Sequence, residues 1–249
     1  MIIKVKTPVA GNGPFSLPHG RLLFCPDPAV AEDGLFTLAA AGRKVAQIWH
    51  GPQSLVVPSS YKRFSNLDKV RAQYAAAGCP VFLRKSGGGL VPQGPGIINL
   101  SLAWPIERTF GEAAEDVYRY LCGILSDALR SLGVVTGWQA VEGSFCDGRF
   151  NLACGEGRQA RKIAGTAQYW RAIPGEADAP RRHVVLAHAV LLVDCDLTAA
   201  HRLANQFEAI LGSGHCYQAS KTVSVAQMLP AGSSGLCDEV IDALIARLQ

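Results

Sequence analysis

Asp147-Gly-Arg-Phe-Asn-Leu-Ala-Cys-Gly-Glu-Gly-Arg-Gln-Ala-Arg-Lys162-Ile-Ala-Gly-Thr-Ala-Gln168 holds two apolar runs separated by a polar, glycine-rich turn. That is the pattern of an antiparallel hairpin, with strands over 150–154 and 162–170. Lys162 opens the second strand. A strict two-residue alternation puts it on one face with Ala164 and Thr166, which are small enough to leave room for a ligand beside the ammonium. A lysine held there can neutralise a carboxylate or phosphate, or stabilise charge developing in acyl transfer. The competing reading is a lysine at a strand end with its tip in water.

Outward from this hairpin, 183–193 reads as a further strand, and helices are expected at 198–211 and 236–248. Upstream, Val117, Leu121, Leu125 and Leu129 recur at four-residue steps in a helix over 112–132. Its start carries Glu112, Glu115 and Asp116, and Gly133 ends it. Strands at 45–49, 54–57 and 80–84 alternate with helices at 30–41 (closed by Gly42) and 66–77 (Ser65 as N-cap, Gly78 as stop). Residues 1–6 read as a short strand, and 7–28 as irregular. Strands and helices mixed without a β-α-β rhythm point to an α+β fold. A mixed, largely antiparallel sheet covered by helices fits better than a doubly wound parallel one. No repeat or long linker divides the chain, so 1–249 reads as one domain with the last fifty or so residues as an edge extension.

Composition narrows the function classes. With 249 residues, 49% hydrophobic and 18% charged, the chain can bury one large core. A net charge of +4 permits docking to an acidic partner but lacks the dense basic patches of a nucleic-acid binder. No apolar run reaches the roughly 20 residues of a membrane span, and no signal segment opens the chain, so a cytoplasmic address is expected. Eight cysteines are scattered without a C-x-x-C pair. That spacing argues against structural zinc and a disulfide framework, and for small buried apolar residues. No metal ligands are expected.

A second informative stretch is Arg84-Lys-Ser-Gly-Gly-Gly-Leu-Val-Pro-Gln-Gly-Pro-Gly-Ile-Ile-Asn-Leu-Ser101. Three glycines in a row remove every Cβ, so the backbone can approach a ligand and aim N–H groups at an anion. Arg84 and Lys85 add positive charge at the entrance. The spacing matches neither the dinucleotide nor the Walker pattern. Alone, the loop indicates an anionic or extended ligand, or a flexible turn.

Together the two stretches resemble the biotin/lipoate protein ligase catalytic-domain family, and more closely its lipoate–octanoate branch. The matching features are Arg84-x-Ser86-Gly87-Gly88-Gly89 with Val91 following, and Gly94-Pro95-Gly96-x-x-Asn99-x-Ser101. Asp147-Gly148-Arg149-x-Asn151-Leu152, the run from Arg161 to Gln168, and His188 before Leu191-Leu192-x-Asp194 complete the set. They appear in the family's order over about residues 30–225. The resemblance implies a biotinyl/lipoyl-transferase-like, class II synthetase-like fold. It implies that the glycine loop lines an acyl tunnel, that Lys162 contacts the acyl carbonyl or its adenylate, and that Arg84 sits at the pocket entrance. Ser86, Gly87, Gly88, Gly89, Gln93, Asn99, Asp147, Arg149, Asn151, Gly165, Thr166, Ala167 and His188 are the implied substrate-binding residues. The implied substrate is lipoate or octanoate. The implied acceptor is a lysine of a small acidic lipoyl carrier domain, the glycine-cleavage carrier or an oxoacid dehydrogenase E2, with no nucleic acid or membrane partner.

This chain departs from the pattern at three points. Gln93 stands where many members have His. The C-terminal accessory domain of long bacterial ligases is not expected. The hairpin is lengthened by 155–160.

Two chemistries compete. A ligase uses ATP and Mg2+ to form an acyl-adenylate and passes the acyl group to the target lysine, with no nucleophilic side chain. A cysteine-dependent transferase needs no cofactor but requires a thiolate near the lysine. Cys146, sixteen residues before Lys162, lies in roughly the loop that carries the nucleophile in one class of octanoyltransferases and amidotransferases of the family. Lys162 or Arg149 would favour its thiolate. An unreactive loop thiol is the competing reading, and the ligase route is preferred on sequence. A third reading is a non-catalytic module that binds a lipoyl carrier. His188 could orient a substrate group or simply be hydrogen-bonded at a strand. His50, Trp104, Trp138 and Trp170 read as structural.

Overall fold

The computed structural model describes residues 9–10, 13–173, 182–230 and 235–249. The strand expected at 1–6 lies outside them. In chain order the elements are β1 (Leu23–Phe24), α1 (Asp33–Ala40), β2 (Val45–His50), β3 (Ser54–Pro58), α2 (Leu67–Ala76), β4 (Val81–Arg84) and β5 (Val91–Gln93). They continue with β6 (Ile97–Ile106), α3 (Phe110–Ser131), β7 (Gly137–Trp138), β8 (Leu152–Cys154), β9 (Arg161–Ala172), β10 (His183–Leu192), α4 (Leu197–Leu211) and α5 (Leu236–Leu248). The fold is α+β, as expected. Seven strands form one sheet in the order β1-β2-β6-β10-β9-β8-β7, and β4-β3-β5 form a second. Only the β1–β2 and β3–β4 pairs are parallel. The rest are antiparallel.

The large sheet separates two environments by simple alternation. Leu100, Leu102 and Trp104 of β6, and Val185, Ala187 and Ala189 of β10, point to the main core. There they meet Val117, Leu121, Leu125 and Leu129 of α3 and Val240, Ile241 and Leu244 of α5. The C-terminal helix therefore belongs to the core and is no edge extension. The intervening residues, Asn99 and Ser101 of β6 and His188 of β10, point the other way, to the side where α1 and the small sheet border a pocket.

Several boundaries differ from the sequence reading for physical reasons. Helix α3 begins at Phe110, because the Thr109 N–H donates to Glu112 Oε2 (2.8 Å) in a capping box. The strong acidic signal at Glu112 marked the third helical position. Helix α1 starts at Asp33, after turns. Asn66, not Ser65, occupies the N-cap of α2. Gly42, Gly78, Gly133 and Gly212 all take positive φ just past a helix. Strand β6, an inner strand of the sheet between β2 and β10, carried no strand expectation. Its Asn and Ser at alternate positions resemble loop composition, yet both are fully buried.

Strand β9 corrects the expected facing of Lys162. Leu152 pairs with Ala164 but Ala153 pairs with Lys162, leaving Ile163 as an extra residue. This bulge turns both Ile163 and Ala164 into the main core. Beyond it, Thr166 donates to Phe150 O (2.6 Å) and Gln168 to Ala114 O of α3 (3.0 Å). Lys162 thus shares its face with Gly165, Ala167, Tyr169 and Arg171, which border the pocket. A one-residue bulge reverses the face of everything that follows.

Candidate active site

The pocket runs along the polar face of β9 and β10 under the glycine loop. Its walls bring together Lys162, Cys146, Arg84, Ser86, Gln93, Gly165, Thr166, Ala167 and His188 of the sequence candidates. Lys162 is 3% exposed. Its ammonium donates to the carbonyls of Phe145 and Cys146, the latter at 2.8 Å. Burial pushes Lys162 down to about 8, although Cys146 and Asp147 pull it upward. A Cβ at Gly165 would lie 2.9 Å from the ammonium nitrogen, so a side chain there would push the lysine tip out of place.

Cys146 sits on a turn with φ of 48°, and is the only non-glycine among the described residues with positive φ. The turn is held through its carbonyl, which also accepts from Asn151 Nδ2 and Gly148 N–H, each at 2.9 Å. The thiol faces the glycine loop and accepts the Gly89 N–H at 3.2 Å. A Cβ at Gly88 would lie 2.5 Å from the sulfur, so glycine is the residue that lets loop and thiol meet. Arg84 fixes that loop from within. Its guanidinium donates to Gly87 O (2.9 Å), Gly89 O (2.6 Å) and Val56 O (3.0 Å), and burial lowers its pKa.

The remaining candidates stand behind the walls or outside them. Gln93 and Asn99 exchange two amide hydrogen bonds of 2.9 Å, with Asn99 wholly buried behind Gln93. Asp147 is exposed at the rim. Arg149 does not border the pocket. It lies over the Phe150 ring (5.0 Å) and 3.6 Å from Glu115. The cations facing Cys146 are Lys162 and Arg84, which corrects the role expected of Arg149.

Sequence reasoning missed Glu32 and Trp49. Ser101 Oγ donates to Glu32 Oε1 (2.6 Å) and receives Trp49 Nε1 (3.0 Å). His188 Nδ1 lies 2.8 Å from Glu32 Oε1 and 3.1 Å from Ser101 Oγ. Burial would raise the Glu32 pKa, but His188, Ser101 and Arg84 outweigh it and hold the carboxyl below its ordinary value. No motif surrounds Glu32. An acid just before a helix ordinarily reads as a dipole partner.

The eight cysteines divide accordingly. Cys25, Cys79, Cys122 and Cys154 are buried, Cys216 is exposed, and all are free thiols. Burial pushes Cys122 and Cys195 up to about 12, which leaves them unreactive near neutral pH. Among the described residues no helix is long and apolar enough to cross a membrane.

A thiol on a left-handed turn, a buried lysine and a glycine loop thus meet beside the mixed sheet. The chain belongs to the lipoyl protein ligase A/B catalytic domain family, whose model matches residues 32–249. It is therefore an enzyme of the lipoyl and octanoyl ligase–transferase class. An uncharacterized Cupriavidus necator protein is 54% identical over 89% of this chain and 88% of that protein. The octanoyl-[GcvH]:protein N-octanoyltransferase of Kyrpidia tusciae is 34% identical over 76% of this chain, which spans 66% of that enzyme's length. A lipoate-protein ligase A crystallised with ATP shares the fold, with a TM-score of 0.64 at 18% identity over 94% of this chain and 84% of that one.

Proposed function

We propose that this enzyme moves an octanoyl or lipoyl group from one carrier to a lysine of a lipoyl carrier domain, through a thioester on Cys146. The observation that carries the reading is the Cys146 sulfur, which faces the pocket on a left-handed turn and accepts the Gly89 N–H. An acyl-adenylate ligase has no use for that thiol, so the geometry favours the transferase over the ligase route preferred on sequence.

In the first half-reaction the Cys146 thiolate attacks the donor's acyl carbonyl. The C–S bond forms, the bond to the donor's nitrogen or sulfur breaks, and a leaving nitrogen takes up a proton from solvent, whereas a leaving sulfur departs as thiolate. In the second, the acceptor lysine's neutral amine attacks the thioester, the C–S bond breaks, and the amine's extra proton passes to solvent. Lys162 and the glycine-loop amides stabilise the oxyanion formed in each half. The donor class that fits is an octanoyl-loaded glycine-cleavage carrier, the substrate named for the Kyrpidia tusciae relative. The acceptor is then an E2 lipoyl domain.

In the ligase alternative, ATP and Mg2+ would activate free lipoate, with Arg84, Lys85 and Lys162 as the cations near the phosphates. Intact-mass analysis of apo carrier incubated with either donor separates the two routes. Transfer from the acyl-loaded carrier without ATP, lost in Cys146→Ala, is the expected result. ATP-dependent lipoylation that survives Cys146→Ala would establish the ligase. No turnover with either donor would leave a binding module.

A further inference from the structure

Behind the nucleophile lies a buried network that the acyl-transfer chemistry does not use. Phe145, 2% exposed, precedes Cys146. Its ring is stacked on His201 (centroids 4.3 Å) and packed on Tyr217 (5.1 Å). Tyr217 is fixed on every side. Its hydroxyl donates to Glu208 Oε1 (2.7 Å), which also receives Tyr61 OH (2.7 Å). Its backbone N–H and carbonyl both bond the Asn205 amide (2.7 and 2.8 Å). The next residue, Gln218, donates its N–H to Gly143 O at 2.8 Å, in the segment that carries Cys146.

The same strand of chain then reaches the other reacting residue. Thr222 forms a parallel bridge with Lys162, and Val223 N–H donates to Lys162 O (2.9 Å). Thr222 Oγ1 lies 2.7 Å from His201 Nε2, closing the loop back to Phe145. Residues 217–223 thus form a strap that touches the Cys146 segment at one end and the Lys162 backbone at the other. Helix α4 anchors it through His201, Asn205 and Glu208. Glu208 is fully buried, and its second oxygen has no partner among the described residues. Burying an unpartnered polar oxygen there is costly. Its visible consequence is to lock two tyrosine hydroxyls.

We infer that Tyr217, locked by Glu208 and Asn205, is a positioning residue of the acyl-transfer site. Its ring wedges Phe145 so that the strained Cys146 turn meets the Lys162 ammonium on one side and the Gly89 N–H on the other. This rests on Cys146 as the nucleophile. Removing the wedge lets the turn relax and separates thiol from ammonium, and misplacement of about 1 Å costs on the order of 100-fold in rate.

The test uses the full chain and mass-mapped iodoacetamide alkylation of Cys146 across pH, beside steady-state transfer. Tyr217→Ala is expected to move the alkylation profile to higher pH and to lower kcat about 100-fold, with acceptor KM within about 3-fold. Tyr217→Phe keeps the ring and the backbone clamps but loses the Glu208 anchor, and both readouts should fall between those of the Ala variant and the parent. If Tyr217→Ala does not fold, Asn205→Ala loosens the strap and is read in the same way. A parent-like alkylation profile in these variants, or a Phe variant as impaired as the Ala variant, overturns the inference. Absence of any acyl-thioester in the parent overturns the transferase reading instead, while the alkylation shift still decides the role of Tyr217.

Discussion

The two faces of the central sheet come from the same strands yet obey different rules. On the helix side, Leu100, Leu102, Val185, Ala187 and Ile163 meet α3 and α5 in a continuous apolar layer. On the other side, one residue away along each strand, stand Ser101, His188 and Lys162, with Trp49, Glu32 and Arg84 around them. The first face is satisfied by volume and shape alone. The second keeps a desolvated cation and a strained turn that packing by itself would remove, and hydrogen bonds from Lys162, Asn151 and Arg84 hold them in place. The contrast places the packed core on one face and the pocket on the other.

The largest expected effect separates them most cleanly. Cys146→Ala should reduce acyl transfer by more than about 1,000-fold with little change in thermal midpoint, measured by transfer assay and calorimetry. Lys162→Met should cost on the order of 100- to 1,000-fold in kcat through the lost oxyanion partner. An activity drop matched by a collapse in stability would instead mean that the pocket face carries the fold. The converse variant is Leu125→Ala in α3, expected to cost about 2–5 kcal/mol of unfolding free energy by denaturant titration. Its Cys146 alkylation should stay at the parent rate. Gly165→Ala, which pushes a methyl against the Lys162 ammonium, should lower transfer about 10-fold without unfolding the chain.

A further effect is in pH dependence. Burial lowers Lys162 to about 8 from the ordinary 10.5. Between those values the unfolded chain keeps a proton that the folded chain has released, so this residue makes stability rise with pH across that window. Below about pH 8 both states hold the proton and its contribution is constant. The urea midpoint of the parent should therefore gain on that of Lys162→Met between pH 8 and 10. A constant difference would show that the ammonium is better solvated than its burial implies.

Much of this contrast was legible in the sequence. Four-residue steps in α3 reported the face that packs on the sheet, whereas the hairpin around Lys162 gave two strands but the wrong facing for the lysine. Lys162, Cys146 and His188 border one pocket and the triple glycine abuts Cys146, and each stands out by type against its neighbours. Strand β6 was not legible, because Asn99 and Ser101 are polar residues paired inside the protein. The bulge at Ile163 was hidden for another reason, as nothing in Arg-Lys-Ile-Ala-Gly signals an extra residue. Glu32 and the strap around Tyr217 lie far along the chain from the motifs they serve, and only tertiary packing brings them there.

Trapping the acyl-enzyme tests the central claim most directly. The full chain mixed with an octanoyl-loaded carrier and no acceptor, then quenched in acid, should gain the mass of one octanoyl group. That group should map to Cys146 and be released by neutral hydroxylamine. An enzyme that transfers the acyl group efficiently yet never carries it on Cys146 would contradict the account.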